Sequence, residues 1–205
     1  PDTVSEMGSG VFGGSTKNSL AEMKWPAGVP VIPYGYFNEC TAIKKVEIPE
    51  GVTQIENGGQ FTGTFENCTS LETVALPSTL ENIGDWAFYG CTSLREINLS
   101  EGVRVVGNYA FCRCESMTEA DLTGVKSIGD RAFDGCKALV KADLTGAESI
   151  GDGSFYGCSA LENVVLQDGL EKIGDSAFYD TCLKTVRIPD TVSEMGSGVF
   201  GGSTK

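Results

Sequence analysis

The chain has 205 residues, of which 40% are hydrophobic, so it is long enough to bury the core of one sizeable domain. Its formal net charge of -13 argues against nucleic acids and anionic membrane surfaces as partners, since both need basic patches. Histidine is absent, which removes the usual general base and the commonest metal ligand. No apolar run approaches the ~18 residues of a membrane span, so we expect no membrane insertion.

A unit of about 23 residues recurs along the chain. The chain starts inside such a unit, without a methionine or a signal-peptide pattern, which indicates a piece of a longer protein. Repeats with a fixed period are typical of solenoids, so we predict a single solenoid domain over residues 1–205, with a partial repeat at 1–19. Complete repeats begin at Leu20, Ile43, Leu71, Leu94, Met117, Leu139, Leu161 and Leu183.

The first half of each repeat has the pattern of a short β-strand. In the repeat at 71–93, Val74 and Leu76 occupy the fourth and sixth positions, and Pro77 follows them. Apolar residues at alternate positions are typical of a strand with one buried face, and proline ends a strand. We therefore predict a parallel sheet of stacked strands with the third and fifth positions on its free face.

The second half of each repeat combines a Gly-Asp turn with a phenylalanine. We predict that the aspartate caps a short helical or 3₁₀ turn by accepting free backbone N–H groups. A calcium-binding ladder is disfavoured, because calcium needs about 6–8 oxygens converging on one point. The aspartates are Asp85, Asp130, Asp152 and Asp175.

Most of the eight cysteines follow a phenylalanine by three positions. A residue that recurs beside a core phenylalanine is expected to be buried, so we predict reduced core thiols rather than disulfides or zinc ligands. These cysteines are Cys40, Cys68, Cys91, Cys114, Cys136 and Cys158. Cys112 lies outside this register and Cys182 is shifted by one, which makes them the two candidates for an exposed or reactive thiol.

The repeat that begins at Ile43 is longer than its neighbours by about five residues. We expect a glycine-rich loop that bulges from the outer side of the solenoid. Insertions in repeat arrays often carry specificity, although a tolerated length variant is the favoured alternative. The candidate binding-loop residues are Gly58, Gly59, Gln60, Phe61 and Thr62.

These features resemble the leucine-rich repeats of the BspA-like (Treponema pallidum type) subclass, whose pattern is LxxVxLPxxLxxIGxxAFxxCxx. Residues 71–93 match every marked position, and the resemblance covers residues 20–205. It implies an α/β repeat solenoid, a right-handed horseshoe with a concave parallel β-sheet and short helical, 3₁₀ or irregular convex segments. Family members are mostly bacterial or protist surface and secreted proteins used in adhesion, which implies an extracellular or cell-surface location.

Charged side chains gather on the predicted free, concave face of the middle repeats. The candidate binding residues there are Glu96, Asn98, Glu119, Asp121, Lys141 and Asp143. Like charges opposite each other are unfavourable, so the cluster is informative. A solvated acidic face is the favoured interpretation, and a binding patch for a basic or polar partner is the second. A glycosidase carboxylate pair is disfavoured, because a shallow face neither excludes water nor raises one pKa.

Residues 1–17, PDTVSEMGSGVFGGSTK, recur without change at residues 189–205. Neighbouring repeats share only their core residues, so identity that includes the loops indicates a recent copy or a construction. Three interpretations stay open: a longer array of super-repeats, which we favour; an engineered repeated end; and one sequence reused at both ends of a filament.

No repeat combines a nucleophile with a base, so we predict a non-enzymatic module without metal or cofactor. The favoured function is adhesion through a protein or glycan ligand. The alternative is a structural spacer or filament subunit that self-associates through its repeat ends, for which the sequence shows no capping segment.

Overall fold

The computed structural model describes residues 22–26, 28–59, 62–99 and 102–202. Within these ranges, each coil contributes a three-residue strand followed by a two-residue strand, except the last coil, which contributes a single two-residue strand. In chain order the strands are β1 (Glu22–Lys24), β2 (Val31–Ile32), β3 (Lys45–Glu47), β4 (Gln54–Ile55), β5 (Thr73–Ala75), β6 (Asn82–Ile83), β7 (Glu96–Asn98), β8 (Val105–Val106), β9 (Glu119–Asp121), β10 (Ser127–Ile128), β11 (Lys141–Asp143), β12 (Ser149–Ile150), β13 (Asn163–Val165), β14 (Lys172–Ile173) and β15 (Glu194–Met195).

All ladders in the described chain are parallel and join neighbouring coils. The three-residue strands form two sheets, β1-β3-β5 and β7-β9-β11-β13. The two-residue strands form one sheet of eight, in the order β2-β4-β6-β8-β10-β12-β14-β15. Equivalent repeat positions lie opposite each other, so that Glu119 pairs with Glu96 on one side and with Lys141 on the other. The predicted parallel sheet is confirmed, whereas the second sheet was not predicted.

The alternation that predicts the three-residue strands is visible in their burial. In β7, Ile97 is buried while Glu96 and Asn98 are exposed. The apolar fourth position points into the coil because alternate side chains of a strand lie on opposite faces. One hydrophobic cluster runs along the described coils, and burying it is the main favourable term in the folding of such a solenoid.

A column of phenylalanine rings runs through this core. Neighbouring rings are nearly parallel, and their centroids lie 5.0 to 5.7 Å apart. This spacing is close to the ~4.8 Å that separates strands in a sheet, so each ring stacks on the ring of the next coil. The column consists of Phe37, Phe65, Phe88, Phe111, Phe133, Phe155, Phe178 and Phe200.

The predicted helical or 3₁₀ segments are wrong for the described residues, where the corresponding stretches are runs of turns. Alternate backbone N–H groups in these stretches donate to the next coil: the Phe88 N–H donates to the Ala110 carbonyl at 2.7 Å, whereas the Tyr89 N–H closes a local turn onto the Trp86 carbonyl at 3.1 Å. A helix would need these donors for bonds within its own segment. Trp86 also has a φ of 61°, a left-handed conformation that interrupts a right-handed helix.

The aspartates of the Gly-Asp turns accept N–H groups from the next coil, so the prediction of local caps is wrong. Oδ1 of Asp130 accepts from the Asp152 N–H at 2.9 Å, and Oδ1 of Asp152 accepts from the Asp175 N–H at 2.8 Å. We call this column the Asx ladder. Its other side-chain acceptors are Asn57, Asp85, Asn108 and Asp175.

The periodic cysteines are buried, as predicted. The Cys91 thiol donates to the Phe65 carbonyl of the preceding coil at 3.2 Å, and Cys68, Cys114, Cys136 and Cys158 make the equivalent bond. Burial raises the pKa of these five thiols. A reduced, unreactive thiol suits such a site, because the reactive thiolate would be desolvated.

The two cysteines outside the register differ from each other. Cys182 is exposed, as predicted. Cys112 is only 4% exposed, so the prediction is wrong for it. It takes the position of Tyr89 in the preceding coil, and its short side chain remains below the surface. Burial raises the pKa of Cys112 to about 12, with a further contribution from the Asp134 carboxylate.

Candidate functional site

The sheet of three-residue strands is interrupted between β5 and β7. These strands contact each other, yet no ladder joins them. A depression of about 340 Å³ lies at the interruption, lined by Thr73, Val74, Glu96, Ile97, Asn98, Glu119 and Asp121. A second depression of about 200 Å³ shares Val74 and Asn98 with it. We call the two together the β5–β7 cleft.

Two carboxylates in the cleft have no bonding partner in the described chain. Glu96 and Glu119 are exposed and lie opposite each other in the β7–β9 ladder. Neighbouring parallel strands are separated by ~4.8 Å, so the pair places two like charges side by side. The arrangement is unfavourable in the free chain, and a cationic group between the two carboxylates would relieve it.

The aspartates of the predicted patch are partly engaged in local structure. Oδ1 of Asp121 accepts the Thr123 N–H at 3.1 Å. Oδ1 of Asp143 accepts both the N–H and the hydroxyl of Thr145, at 3.2 and 2.6 Å, and Lys141 lies 3.8 Å from its other oxygen. The cleft is lined by four of the six predicted residues, Glu96, Asn98, Glu119 and Asp121. The other two, Lys141 and Asp143, are not part of its lining.

The predicted binding loop is separate from this cleft. It follows β4, which belongs to the eight-stranded sheet. The two ends of the loop lie close together, because a Cβ at Gly58 would come within 2.8 Å of the Gly63 Cα. The Gly59 N–H also donates to the Thr62 hydroxyl at 3.0 Å. Gly59 and Thr62 are exposed, while Gln60 and Phe61 lie outside the described residues.

Outside the β5–β7 cleft, the structure contains another polar depression, which the sequence did not indicate. It measures about 440 Å³ and lies on the eight-stranded sheet beside the Asx ladder. Asn57, Asp85 and Asn108 line it together with Gln54 and Asn82. The recurring Gly-Asp and Gly-Asn pairs were the available signal, but without the second sheet they indicated only turns.

The described residues contain no group of three or more acidic, cysteine or histidine side chains that could hold a metal ion. Nor does any helix in the described part have the length and apolar character to cross a membrane. Glu96, Glu119 and Asp121 lie on an open surface, and such a surface does not supply the shielding from water on which carboxylate catalysis depends.

Several solved structures are similar to the chain. A leucine-rich repeat protein from Bacteroides ovatus ATCC 8483 is 29% identical, with a TM-score of 0.64, and the match covers 88% of this chain and 55% of that one. The leucine-rich repeat protein of T. pallidum is 27% identical, with a TM-score of 0.68 and coverages of 89% and 76%. A leucine rich cell surface protein from Faecalibacterium prausnitzii A2-165 is 26% identical, with a TM-score of 0.59 and coverages of 89% and 45%. The chain thus spans about half of the Bacteroides and Faecalibacterium proteins.

No curated protein sequence matches the chain significantly. The family model of the BspA type leucine rich repeat region matches it in six copies, over residues 1–91, 61–158 and 95–205. Those matches cover the whole chain, and they agree with the stacked coils, the phenylalanine column and the similar solved structures. The chain therefore belongs to the BspA-type leucine-rich repeat family.

Proposed function

We propose that the chain is a non-enzymatic binding module of a cell-surface or secreted protein, and that the β5–β7 cleft holds a basic segment of a protein ligand. The unpartnered carboxylates of Glu96 and Glu119 carry this proposal. A lysine or arginine side chain placed between them would turn a repulsive pair into two attractive ones. Thr73 at the rim adds a hydrogen-bonding group.

The location rests on similarity. The Faecalibacterium protein is described as a cell surface protein and shares the fold along 89% of this chain. A net charge of -13 suits a basic ligand and disfavours nucleic acids and anionic membranes. A glycan is the other ligand class that the cleft could take, through the same polar rim.

The test uses a fluorescent peptide pool rich in lysine and arginine, together with an array of neutral glycans. We expect the double substitution Glu96→Gln with Glu119→Gln to weaken peptide binding at least about tenfold, equivalent to about 1.4 kcal/mol. The matched control is Asp168→Asn with Glu171→Gln, which removes the same charge from two exposed residues outside the cleft. Equal weakening by both variants would show that only net charge attracts the peptides. Binding of neutral glycans alone, with the same dependence on the cleft, would assign the site to a glycan.

A further inference from the structure

The outer face of the eight-stranded sheet carries a column of uncharged side chains. In β4, β6, β8 and β10 the second residue is buried, while the first faces outward and is half-buried or exposed. The ladders place these first residues opposite each other from coil to coil. Because neighbouring strands are ~4.8 Å apart, the four strands extend over roughly 14 Å. We call their first residues, Gln54, Asn82, Val105 and Ser127, the neutral column.

Two amides of the neutral column have no hydrogen-bonding partner in the described chain. Gln54 and Asn82 lie opposite each other in the ladder between β4 and β6, and both are half-buried in the depression of about 440 Å³. Each side chain offers two N–H donors and one carbonyl acceptor. A ligand that fills the depression displaces the water around these groups, so it must itself supply both donors and acceptors.

The depression carries little charge, although the chain has a formal net charge of -13. Among the described residues that line it, Asp85 is the one with an ionisable side chain. The Asp85 carboxylate accepts the Asn108 N–H at 2.7 Å and the Asn108 side-chain amide at 3.5 Å, so the Asx ladder already uses it. A cation therefore finds no unengaged carboxylate in the lining, and an anion finds no basic group. The charge of the depression thus favours a neutral ligand.

The backbone of these strands is closed to an added peptide strand. β6 pairs with β4 on one side and with β8 on the other, so its N–H and C=O groups are used within the sheet. An extended peptide binds a sheet by adding a strand at a free edge, where backbone groups are open. Recognition on the outer face of this sheet therefore depends on side chains, which favours a ligand that itself presents hydroxyl groups.

Val105 places an apolar surface within the polar column. It is 40% exposed and lies between Asn82 and Ser127 in the ladders. Ser127 accepts the Ser149 hydroxyl at 3.2 Å, which leaves its own O–H group as a donor. Ligand sites generally combine apolar contact with a few placed polar groups. A sugar ring has the complementary surface, because hydroxyl groups surround its C–H face.

We propose that the neutral column binds a neutral oligosaccharide that lies across β4, β6, β8 and β10. Gln54 and Asn82 exchange hydrogen bonds with its hydroxyl groups, and Val105 contacts the C–H face of one ring. This site is distinct from the β5–β7 cleft, because the two surfaces share no lining residue. The proposal therefore does not depend on the binding of a basic segment in that cleft.

The probes are fluorescently labelled neutral oligosaccharides of glucose, mannose, galactose and N-acetylglucosamine, and fluorescence anisotropy measures their binding to the full chain. We expect Gln54→Ala with Asn82→Ala to weaken binding at least about tenfold, since several hydrogen bonds are lost. The matched control is Asn163→Ala with Gln167→Ala, which removes the same two side-chain types from exposed positions outside the depression. This control should bind like the unmodified chain, and circular dichroism confirms that all variants are folded.

Four results would overturn the proposal. The first is that no neutral oligosaccharide in the panel binds. The second is equal weakening by the control variant, which would show that the amides of the column have no special role. The third is binding that weakens as the salt concentration rises, since this dependence would indicate charged contacts. The fourth is oligosaccharide binding that is lost with Glu96→Gln and Glu119→Gln but kept with Gln54→Ala and Asn82→Ala, which would place the ligand in the β5–β7 cleft.

Discussion

Glu66 is a carboxylate in the protein interior, with only 1% of the residue exposed. It accepts the Gly63 N–H at 2.9 Å and the Asn38 side-chain amide at 3.3 Å. Burial raises the pKa of Glu66 above its usual value of 4.5, the Gly63 bond opposes the rise, and the Glu39 carboxylate adds to it. Because the folded pKa is the higher one, the folded chain binds the proton more tightly than the unfolded chain. The stability contributed by Glu66 is therefore present below pH 4.5 and is lost as the pH rises through the folded pKa.

We expect Glu66→Gln to stabilise the protein at pH 7, since glutamine keeps an oxygen for the Gly63 N–H and removes the buried charge. The difference in unfolding midpoint from the unmodified chain should shrink as the pH falls toward 4.5. Urea unfolding at a series of pH values measures it. Glu72→Gln, at an exposed glutamate of the same loop region, is the matched control and should show no such trend. A pH-independent difference for Glu66→Gln would contradict the assignment of the effect to ionisation.

At the scale of the element, the Gly-Asp pair that four of the repeats carry is explained by the neighbouring coil. A Cβ at Gly151 would lie 2.6 Å from Oδ1 of Asp130, which fills that space as the ladder acceptor of the preceding coil. A side chain at the glycine would thus displace the acceptor that binds the next backbone N–H. Glycine and aspartate recur together because the glycine of one coil leaves the space that the aspartate side chain of the preceding coil occupies.

Two substitutions at Asp152 distinguish the contribution of hydrogen bonding in the Asx ladder from the contribution of charge. We expect Asp152→Ala to destabilise the protein by about 1 kcal/mol, because the Asp175 N–H loses its acceptor. Asp152→Asn keeps an acceptor and removes a negative charge between Asp130 and Asp175, so it should be neutral or stabilising. Chemical unfolding of both variants measures these changes, with Asp168→Ala as a control at an exposed turn. Equal destabilisation by alanine and asparagine would mean that the charge, and not the hydrogen bond, holds the coils together.

The two kinds of strand also show what a sequence pattern can predict about an element. The three-residue strands lie within a longer alternation, such as Ile97 and Leu99, that reveals the buried face. The two-residue strands are too short to display a period, and Ile83 alone does not distinguish a strand from a turn. Their pairing depends on the coil before and the coil after, so it becomes visible only in the folded chain.

At the scale of the whole molecule, every contact between strands in the described chain joins neighbouring coils. Stability in such an array is close to a sum of repeat and interface terms. A destabilising substitution in one coil should therefore destabilise the adjacent coils most, and distant coils should be affected little.

Phe133 lies in the middle of the phenylalanine column and is fully buried. We expect Phe133→Ala to lower the free energy of unfolding by about 3–5 kcal/mol. Hydrogen exchange should show the largest loss of protection in β10 and β12, with smaller losses toward β2 and β15. A uniform loss along the whole chain would contradict the nearest-neighbour description and indicate a single cooperative unit.

The sequence by itself determined the repeat, the fourth and sixth positions that are buried in most described coils, the buried periodic cysteines and the family. These follow from periodicity, because a residue that returns once per coil meets the same environment each time. Only the tertiary structure decided the second sheet, the inter-coil role of Asp152, the burial of Cys112 and Glu66, and the cleft between β5 and β7. Each of these depends on which atom of an adjacent coil lies within hydrogen-bonding or van der Waals distance, and a one-dimensional pattern does not contain that distance.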